Sequence, residues 1–216
     1  QRDDFQERIP PAMPLIESDK PWQQWITITH GCENFCTYCI VPYVRGPLHS
    51  FPSNTILEYL RRIADKGVVE IMLLGQNVNQ YGQDTGDIPF SELLEKCAQI
   101  GSFRKIGFLT SHPKDFSDDL IRVIRDYDCI AKSVHLPLQS ASDRILERMN
   151  RKYTLAHYMR IIELLKSAGR HSLSTDLIVG FPGESDEDYK KTLRAVETIG
   201  YDEAYMYAYS PRSGTP

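Results

Sequence analysis

Three cysteines stand close together near the start of the chain, at Cys32, Cys36 and Cys39. Their C-x3-C-x2-C spacing follows a short apolar run at residues 25–29 and places three thiols within eight residues. Thiols this close can all turn inward from one loop and hold a single inorganic centre. Because three protein ligands leave one metal position open for a substrate or cofactor, the spacing indicates a catalytic iron–sulfur site rather than a closed structural one.

Two other uses of clustered cysteines fit the sequence less well. Structural zinc usually takes two C-x2-C pairs or a cysteine pair with a histidine pair, and no second pair is present. His30 is too close to Cys32 to serve easily as a fourth ligand, whereas His112 and His135 stay open as candidates for a zinc-stabilised α/β domain. Disulfides would suit a short secreted chain, but this sequence has 216 residues, five cysteines and no signal-peptide pattern.

The composition is that of an ordinary globular protein, with 41% hydrophobic and 25% charged residues. No apolar stretch approaches the roughly 20 residues that a membrane span needs. The net charge of −4 carries no global signature of nucleic-acid binding. We therefore expect a reduced, cytoplasmic protein without a membrane segment, in which any contact with RNA is local or is made by other parts of the protein.

Strand and helix signals alternate along the rest of the chain. Apolar runs predict strands at residues 25–29, 68–74, 105–110, 130–136, 173–179 and 201–209. The helices between them are predicted near residues 90–100 and after the N-capping residues Ser53, Ser117, Ser142, Thr154 and Ser185, the last in a capping-box-like Ser185–Asp188 segment.

Such alternation predicts a parallel sheet with right-handed crossovers. Because no G-x-G-x-x-G follows any strand, we expect an α/β fold of the partial (β/α)6 TIM-like barrel type over residues 25–216. The proline-rich residues 1–24 are predicted to form an N-terminal linker or arm.

Polar segments follow the predicted strands at their carboxyl ends, where parallel α/β folds build their sites. The cysteines follow the first strand, Gly75-Gln76-Asn77 the second, Thr110-Ser111-His112-Pro113 the third and Gln139-Ser140 the fourth. Asp176 lies within the fifth strand, which continues into residues 180–184. The repetition around one rim predicts a shared pocket.

With these residues in view, the chain resembles the radical S-adenosylmethionine (radical SAM) superfamily and, within it, the methylthiotransferases. The resemblance rests on the strings at residues 31–46, 73–79, 110–113, 135–140 and 176–184, and it covers about residues 25–216. The Gly-Gln-Asn-Val-Asn string that starts at Gly75 is similar to the branch that modifies tRNA more than to the branch that modifies a ribosomal protein.

The resemblance implies two cofactors. Cys32, Cys36 and Cys39 would hold three irons of a [4Fe-4S] cluster as thiolates, and the fourth iron would chelate S-adenosylmethionine. Tyr38 would lie near the adenine, although a ring packed beside the cluster explains it equally well. The protein would supply binding, orientation and electrostatics for radical chemistry that belongs to the cofactor.

The resemblance also implies which side chains meet S-adenosylmethionine. Gly75, Gln76 and Asn77 would face its methionine end, since glycine lets the backbone approach closely and amides can pair with an amino group. Gln139, Arg151 and Asp176 form a trio of further contacts, through an amide, a guanidinium that can grip a carboxylate and a carboxylate that can accept from hydroxyl groups. A solvated or capping charge is the ordinary alternative for Arg151.

The implied reaction is methylthiolation at carbon 2 of the isopentenylated adenosine beside the anticodon of tRNA; a ribosomal-protein aspartate is the alternative substrate. The expected partners are the tRNA and an electron donor of the flavodoxin or ferredoxin type. The family also has an N-terminal domain with a second, auxiliary [4Fe-4S] cluster and a C-terminal RNA-binding module. We expect both to lie outside these residues, so that this segment alone cleaves S-adenosylmethionine without completing methylthiolation.

Several other residues that could do chemistry are expected to be structural. Cys97 and Cys129 are predicted to be small buried hydrophobes that do not bind the cluster. His112 is placed at the rim, with an ordinary turn role as its close alternative. Tyr205, Tyr207 and Tyr209 alternate along the last strand, where core packing is expected and stacking on a base is the alternative.

Overall fold

The computed structural model describes residue 13 and residues 15–16, 19–169 and 171–215. These residues fall into two compact units. The first unit contains the described residues up to Glu33 together with Val41–Thr110 and Asp119–Ala131; the second contains Asn34–Ile40, Ser111–Asp118 and the described residues from Lys132 onward.

Strands and helices alternate through most of the described chain. The strands are β1 (Leu15–Ile16), β2 (Gln23–Thr27), β3 (Thr29–His30), β4 (His49–Ser50), β5 (Glu70–Leu74), β6 (Lys105–Phe108), β7 (Ser133–His135), β8 (Ser172–Val179) and β9 (Glu203–Ala208). The α-helices are α1 (Val41–Arg45), α2 (Ser53–Asp65), α3 (Phe90–Gln99), α4 (Asp118–Asp126), α5 (Asp143–Arg148), α6 (Leu155–Ser167) and α7 (Asp186–Ile199).

The main sheet of the first unit has the strand order β1-β2-β5-β6. β2, β5 and β6 run parallel, whereas β1 pairs antiparallel with β2. Ile71 and Leu73 of β5 are buried, as expected for a central strand of a parallel sheet. Because β2 and β5 run in the same direction, the segments that follow them emerge at the same edge of this sheet.

The sheet of the second unit has the order β7-β8-β9, and both of its strand pairs are parallel. The register opposes His135 to Ser174, Asp176 to Tyr205 and Ile178 to Tyr207. Since side chains alternate between the two faces of a strand, these residues share one face of the sheet. Leu173, Thr175 and Leu177 on the other face of β8 are buried.

The prediction of six parallel strands separated by helices is confirmed. The strands in question are β2, β5, β6, β7, β8 and β9. The predicted bounds were too long at several ends, as at residues 130–136, where β7 spans only Ser133–His135. The short elements β1, β3, β4 and α1 were not predicted, because two to five residues carry no readable periodicity.

The helix starts show where local signals suffice. Ser185 accepts from the backbone of Asp188, and the Asp188 side chain accepts in return from the Ser185 backbone, so the predicted capping box is confirmed. Ser53 as an N-cap was wrong, because Pro52 holds that position. The Ser53 hydroxyl and backbone N–H instead donate to the Asp87 carboxylate, a partner that no local pattern reveals.

Most of the predicted arm at residues 1–24 lies outside the described residues, including residues 1–12. Within it, Leu15–Ile16 pairs with β2, and β2 itself begins at Gln23. Among the helices of the described residues, none combines the length and apolar character that a bilayer span requires.

Candidate functional site

The backbone that leads into the cysteine segment is held tightly in the first unit. Gly31 has a φ of 75°, and a Cβ there would lie 1.9 Å from the carbonyl oxygen of Pro47, so only glycine fits. The Gly31 N–H donates to Gln76 Oε1 at 2.6 Å, and the Cys32 N–H donates to the Gly46 carbonyl at 3.2 Å. The Gly46-Pro47 segment after α1 and the segment after β5 therefore fix the backbone beside Cys32.

The predicted Gly75-Gln76-Asn77 group lies in the bend directly after β5. A Cβ on Gly75 would lie 2.0 Å from Thr29 Oγ1, so the close approach predicted for this glycine is made to the protein's own strand. Asn77 is buried. The side-chain oxygen of Gln76, Oε1, already accepts a hydrogen bond from the Gly31 N–H. Contacts of these residues with S-adenosylmethionine stay a prediction.

Cys36 and Cys39 belong to the second unit, where their segment is anchored by the residues that follow α5. The Cys39 N–H donates to the Cys36 carbonyl at 2.9 Å, and the Thr37 N–H donates to the carbonyl of Met149 at 3.1 Å. Asn150 Nδ2 donates to the carbonyls of Asn34 and Phe35 at 3.2 and 2.9 Å. Sequence reasoning missed Asn150; its left-handed φ of 57°, which asparagine tolerates better than most residues, gives no signal in the sequence itself.

Arg151 is buried beside the same cysteine. Only 5% of the residue is exposed, and its Nη1 lies 3.7 Å from Cys36 Sγ and 3.3 Å from the Tyr38 hydroxyl. Nη2 donates to the Pro137 carbonyl at 3.0 Å and Nε to the Tyr153 hydroxyl at 3.2 Å. The solvated-charge interpretation of Arg151 was therefore wrong.

Among the described residues, no partner of the Arg151 guanidinium is a carboxylate. A buried cation 3.7 Å from Cys36 Sγ complements the negative charge of a cluster held by cysteine ligands. Thiolates are the form in which cysteines bind iron. The donor chemistry around Cys36 thus fits an iron–sulfur cluster.

All five cysteines are free thiols, and Cys32 and Cys36 are buried. Across the residues that the structure describes, no three His, Cys, Asp or Glu side chains are already arranged as a metal-binding group. Convergence of Cys32, Cys36 and Cys39 on one cluster stays a prediction that rests on their spacing and on the thiol chemistry of the loop.

Three of the predicted cofactor contacts, Tyr38, Gln139 and Asp176, line one cavity in the second unit. Its volume is about 280 Å³. The complete lining consists of Tyr38, Gln139, Asp176, Ile178, Tyr207, Ala208, Tyr209, Ser210 and Arg212. Sequence reasoning missed Arg212, which follows the last strand and had no signal beyond its position.

Gln139 is the most unusual residue of this cavity. Its backbone has a φ of 66°, and hydrogen bonds to both neighbours in β8 hold it there: its N–H donates to Asp176 O at 2.8 Å, and its carbonyl accepts from Ile178 N at 2.9 Å. The residue is 7% exposed, yet its Oε1 has no partner in the described chain. A buried acceptor without a donor is unfavourable unless a ligand supplies one. Gln139 therefore fits an amino or hydroxyl group of a bound molecule.

Asp176 is held by His135 on the same face of the sheet. Asp176 Oδ2 lies 3.2 Å from His135 Nε2, and His135 Nδ1 lies 2.9 Å from the Ser174 hydroxyl. This chain of contacts leaves the second carboxylate oxygen without a protein donor among the described residues. Carboxylates accept strongly from sugar hydroxyls and attract positive charge, so Asp176 suits a cationic nucleoside.

Tyr38, Tyr207 and Tyr209 supply the aromatic part of the cavity lining. Tyr38 packs edge-on against Phe181 with ring centroids 6.5 Å apart, and Phe181 packs in the same way against Tyr209 at 5.2 Å. Burial raises the pKa of Tyr38, so its phenol stays protonated and can serve as a neutral hydrogen-bonding group. The Gly180–Glu184 turn is closed by the Gly180 N–H, which donates to Glu184 Oε2 at 2.6 Å.

The residues that were expected to be structural include two cysteines outside the cluster motif. Cys97 is fully buried and burial raises the pKa of its thiol to about 12, which confirms it as a small hydrophobe. Cys129 is only half-buried, so that part of the prediction was wrong. His112 caps a short turn, since its Nδ1 accepts from Lys114 N at 3.2 Å. Tyr205 and Tyr207 are exposed rather than packed in the core, which corrects the expectation for the last strand.

Comparison with known families now bears on this geometry. The family model of the radical SAM superfamily matches residues 26–196, which is most of the chain. The chain belongs to the radical SAM superfamily. This superfamily uses a [4Fe-4S] cluster and S-adenosylmethionine, and both predicted cofactors are thereby confirmed.

Solved structures of radical SAM enzymes share the fold at low sequence identity. The methyltransferase TsrM from Kitasatospora setae has a TM-score of 0.69 with 13% identity, over 86% of this chain and 35% of that one. Streptococcus suis SuiB bound to S-adenosylmethionine has a TM-score of 0.61 with 14% identity, over 90% of this chain and 42% of that one. The predicted fold class, an α/β chain of the partial TIM-like barrel type, is confirmed.

Curated relatives are much more similar in sequence. A tRNA-2-methylthio-N(6)-dimethylallyladenosine synthase from Thermoanaerobacter pseudethanolicus is 48% identical over 202 residues, which is 93% of this chain and 43% of the relative. An enzyme of the same name from Caldicellulosiruptor saccharolyticus is 49% identical over 193 residues, or 88% of this chain and 41% of the relative. The chain spans less than half the length of the curated relatives it matches.

Proposed function

We propose that this chain is the S-adenosylmethionine-cleaving core of a tRNA methylthiotransferase that acts at carbon 2 of the isopentenylated adenosine beside the anticodon. The observation that carries the proposal is 48% identity to a relative named for that activity across 93% of the chain. The radical SAM match supports the chemistry, and the Gly75–Asn79 string supports the tRNA branch.

Cys32, Cys36 and Cys39 are the residues that would hold the cluster. When bound, the cluster supplies one electron, received from an external reductant, for reductive cleavage of S-adenosylmethionine. Arg151 lies 3.7 Å from Cys36 Sγ and would offset the negative charge of the bound cluster. A flavodoxin- or ferredoxin-type protein is the proposed electron donor.

The cavity of the second unit would receive the nucleoside part of S-adenosylmethionine. Gln139 Oε1, which has no partner among the described residues, would accept from an amino or hydroxyl group. Asp176, oriented by His135 at 3.2 Å, would accept from ribose hydroxyls or offset the sulfonium charge. The cavity measures about 280 Å³, slightly less than the roughly 300–1,000 Å³ of most ligand pockets. It would therefore accommodate only part of the cofactor.

Other features of the whole protein follow from the same proposal. A tRNA substrate implies a cytoplasmic protein, and the net charge of −4 implies that most RNA contacts come from other domains. The auxiliary cluster that donates sulfur would also lie outside these residues. This chain alone is expected to cleave S-adenosylmethionine but not to form the methylthio product.

Anaerobic reconstitution with iron and sulfide tests the cofactor chemistry. The reconstituted protein is expected to be brown and, after reduction, to convert S-adenosylmethionine to 5′-deoxyadenosine and methionine. Cys36→Ser should lose both properties, whereas Cys129→Ser, a half-buried cysteine outside the trio, should keep them. A colourless protein that contains zinc would instead support the zinc-stabilised domain.

A chimaera tests the substrate. This chain would replace the matching segment of the Thermoanaerobacter pseudethanolicus relative, with which it shares 48% identity. We expect the chimaera to form the 2-methylthio nucleoside in isopentenylated tRNA. Modification of a ribosomal-protein aspartate without modification of tRNA would contradict the proposed substrate while leaving the radical SAM chemistry intact.

A further inference from the structure

In the sheet formed by β7, β8 and β9, one face of β8 is buried, whereas the last strand, β9, is largely exposed. Leu173, Thr175 and Leu177 of β8 are buried on one face. On the other face, Tyr205 is 47% exposed and Tyr207 is 55% exposed. Parallel sheets are normally covered on both faces. A parallel sheet that presents two large aromatic rings to solvent therefore offers a surface on which a ligand can lie.

The two tyrosines are held in place on this face. The Tyr205 hydroxyl donates to Glu203 Oε2 at 2.7 Å, and its ring lies edge-on to His135 with centroids 6.2 Å apart. Tyr207 lies opposite Ile178 in the register of β8 and β9 and lines the cavity that contains Asp176. Tyr205 and Tyr207, two residues apart on one strand, thus form a preorganised aromatic surface, the tyrosine platform, that continues into the cavity.

We propose that the tyrosine platform stacks on an unpaired purine base of the RNA substrate and holds it at the edge of the cavity. This inference rests on the proposed function and adds residues that would recognise the substrate. Proteins recognise single-stranded bases chiefly by stacking them on exposed aromatic rings. A half-exposed platform suits a base presented from solvent by a large ligand.

Two observations favour an RNA base over the adenine of S-adenosylmethionine on this platform. Enclosed cofactor sites bury most of their ligand, and Tyr38 and Tyr209, which are partly buried and pack against buried Phe181, supply rings for that purpose. Arg212 is also the only cationic residue in the described lining of the cavity. Its guanidinium can pair with a phosphate next to the stacked base, which S-adenosylmethionine lacks.

Fluorescence of a modified RNA measures the stacking directly. The probe is an anticodon stem-loop RNA in which 2-aminopurine replaces the adenosine after the anticodon, titrated with the chimaera described above, because most RNA contacts are expected to come from its other domains. Stacking quenches 2-aminopurine. Since a base–aromatic stack contributes roughly 1–3 kcal/mol, Tyr205→Ala and Tyr207→Ala should each weaken binding about tenfold and reduce the quench.

Matched variants separate stacking from loss of structure. Tyr205→Phe and Tyr207→Phe keep the ring and should bind nearly as the unaltered chimaera does. Met206→Ala should also leave binding unchanged, because Met206 is 71% exposed on the opposite face of the same strand. The affinity of the reconstituted protein for S-adenosylmethionine should be the same in Tyr205→Ala, Tyr205→Phe and Met206→Ala, because Tyr205 and Met206 do not line the cavity assigned to the cofactor.

Three outcomes would overturn the inference: no quench with the unaltered chimaera, equal quench by the Tyr→Ala variants, or a loss of S-adenosylmethionine affinity in Tyr205→Ala equal to its loss of RNA affinity, which would assign the platform to the cofactor. Formation of 5′-deoxyadenosine by the same preparations would show that the proposed cofactor chemistry stands even then. Absence of 5′-deoxyadenosine from the unaltered chimaera would count against the proposed function instead.

Discussion

Gln76 and Asp84 of the first unit have protein partners, whereas Gln139 and Asp176 of the second unit face a cavity. Gln76 Oε1 accepts from Gly31 N, and Asp84 accepts from both the backbone and the hydroxyl of Ser50. In the second unit, Gln139 Oε1 has no partner in the described chain, and Asp176 has only His135. The same residue types thus shape the backbone in one unit and are available to a ligand in the other.

Residue type and position along the chain therefore do not by themselves identify a binding residue. What separates Gln139 from Gln76 is an unmet hydrogen bond together with a left-handed backbone held by the neighbouring strand. Strain and unsatisfied polarity of this kind persist where function requires them. Substitutions at these positions should therefore change stability in the first unit and ligand binding in the second.

The largest expected effect comes from two glycines with nearly the same backbone angle. Gly31 and Gly180 have φ values of 75° and 74°, but a Cβ would collide with Pro47 O at Gly31 and meets nothing within 4 Å at Gly180. Gly180→Ala should therefore lose only the roughly 1–2 kcal/mol of left-handed strain. Gly31→Ala should lose more than about 3 kcal/mol, because strain and collision add.

Urea unfolding of the two variants measures this difference. If Gly31→Ala were as stable as Gly180→Ala, the tight packing around the start of the cysteine segment would be wrong.

A smaller effect is expected from acid, through His112 in the second unit. Burial lowers the pKa of His112 to about 2, from about 6.5 in the unfolded chain. The unfolded state therefore binds the proton more readily, and stability is complete above pH 6.5 and falls as the pH drops below it. The loss is about 1.4 kcal/mol for each pH unit below 6.5.

His112→Asn should flatten the pH dependence of the free energy of unfolding between pH 7.5 and pH 5. Some dependence should remain, because burial also lowers the pKa of His30 in the first unit. An unchanged slope in His112→Asn would contradict the burial of a neutral imidazole at this turn.

The two glutamines should give the smallest change in stability and the clearest contrast in binding. Gln76→Met removes the acceptor for Gly31 N and should lower stability by about 1 kcal/mol. Gln139→Met removes an acceptor that has no protein donor, so it should leave stability unchanged or raise it while weakening S-adenosylmethionine binding about tenfold. Urea unfolding of both variants measures the change in stability, and calorimetric titration measures the change in S-adenosylmethionine affinity. A stability loss in Gln139→Met equal to that in Gln76→Met would remove the contrast.

Much of this contrast could not be predicted from the sequence. Six of the strands and the Ser185 capping box were predicted, because each is a local pattern in the sequence. The cysteine motif is also local and can be read directly from the sequence. The burial of Arg151 depends on Cys36, Tyr38, Pro137 and Tyr153, which lie as far as 115 residues away along the chain. A pattern within a window of residues carries no information on such partners.

The errors have the same origin. Ser53 has the sequence of an N-cap but takes its partner from Asp87, 34 residues later. Tyr205 and Tyr207 follow the period of a strand, which fixes their shared face but not whether that face is covered. Gln139 and Asp176 were predicted from their strand positions and from the resemblance to radical SAM enzymes, whereas Arg212 lies on an irregular segment without a periodic signal.

Equilibrium binding of S-adenosylmethionine to the anaerobically reconstituted chain tests most directly whether the second-unit cavity is the cofactor site. Asp176→Asn and Asp84→Asn make the same chemical change at a carboxylate that faces the cavity and at one bonded to Ser50. The expected result is binding about tenfold weaker in Asp176→Asn, with unaltered affinity and lower stability in Asp84→Asn. Full affinity in Asp176→Asn, or equal weakening in both variants, would contradict the assignment of the cofactor to this cavity.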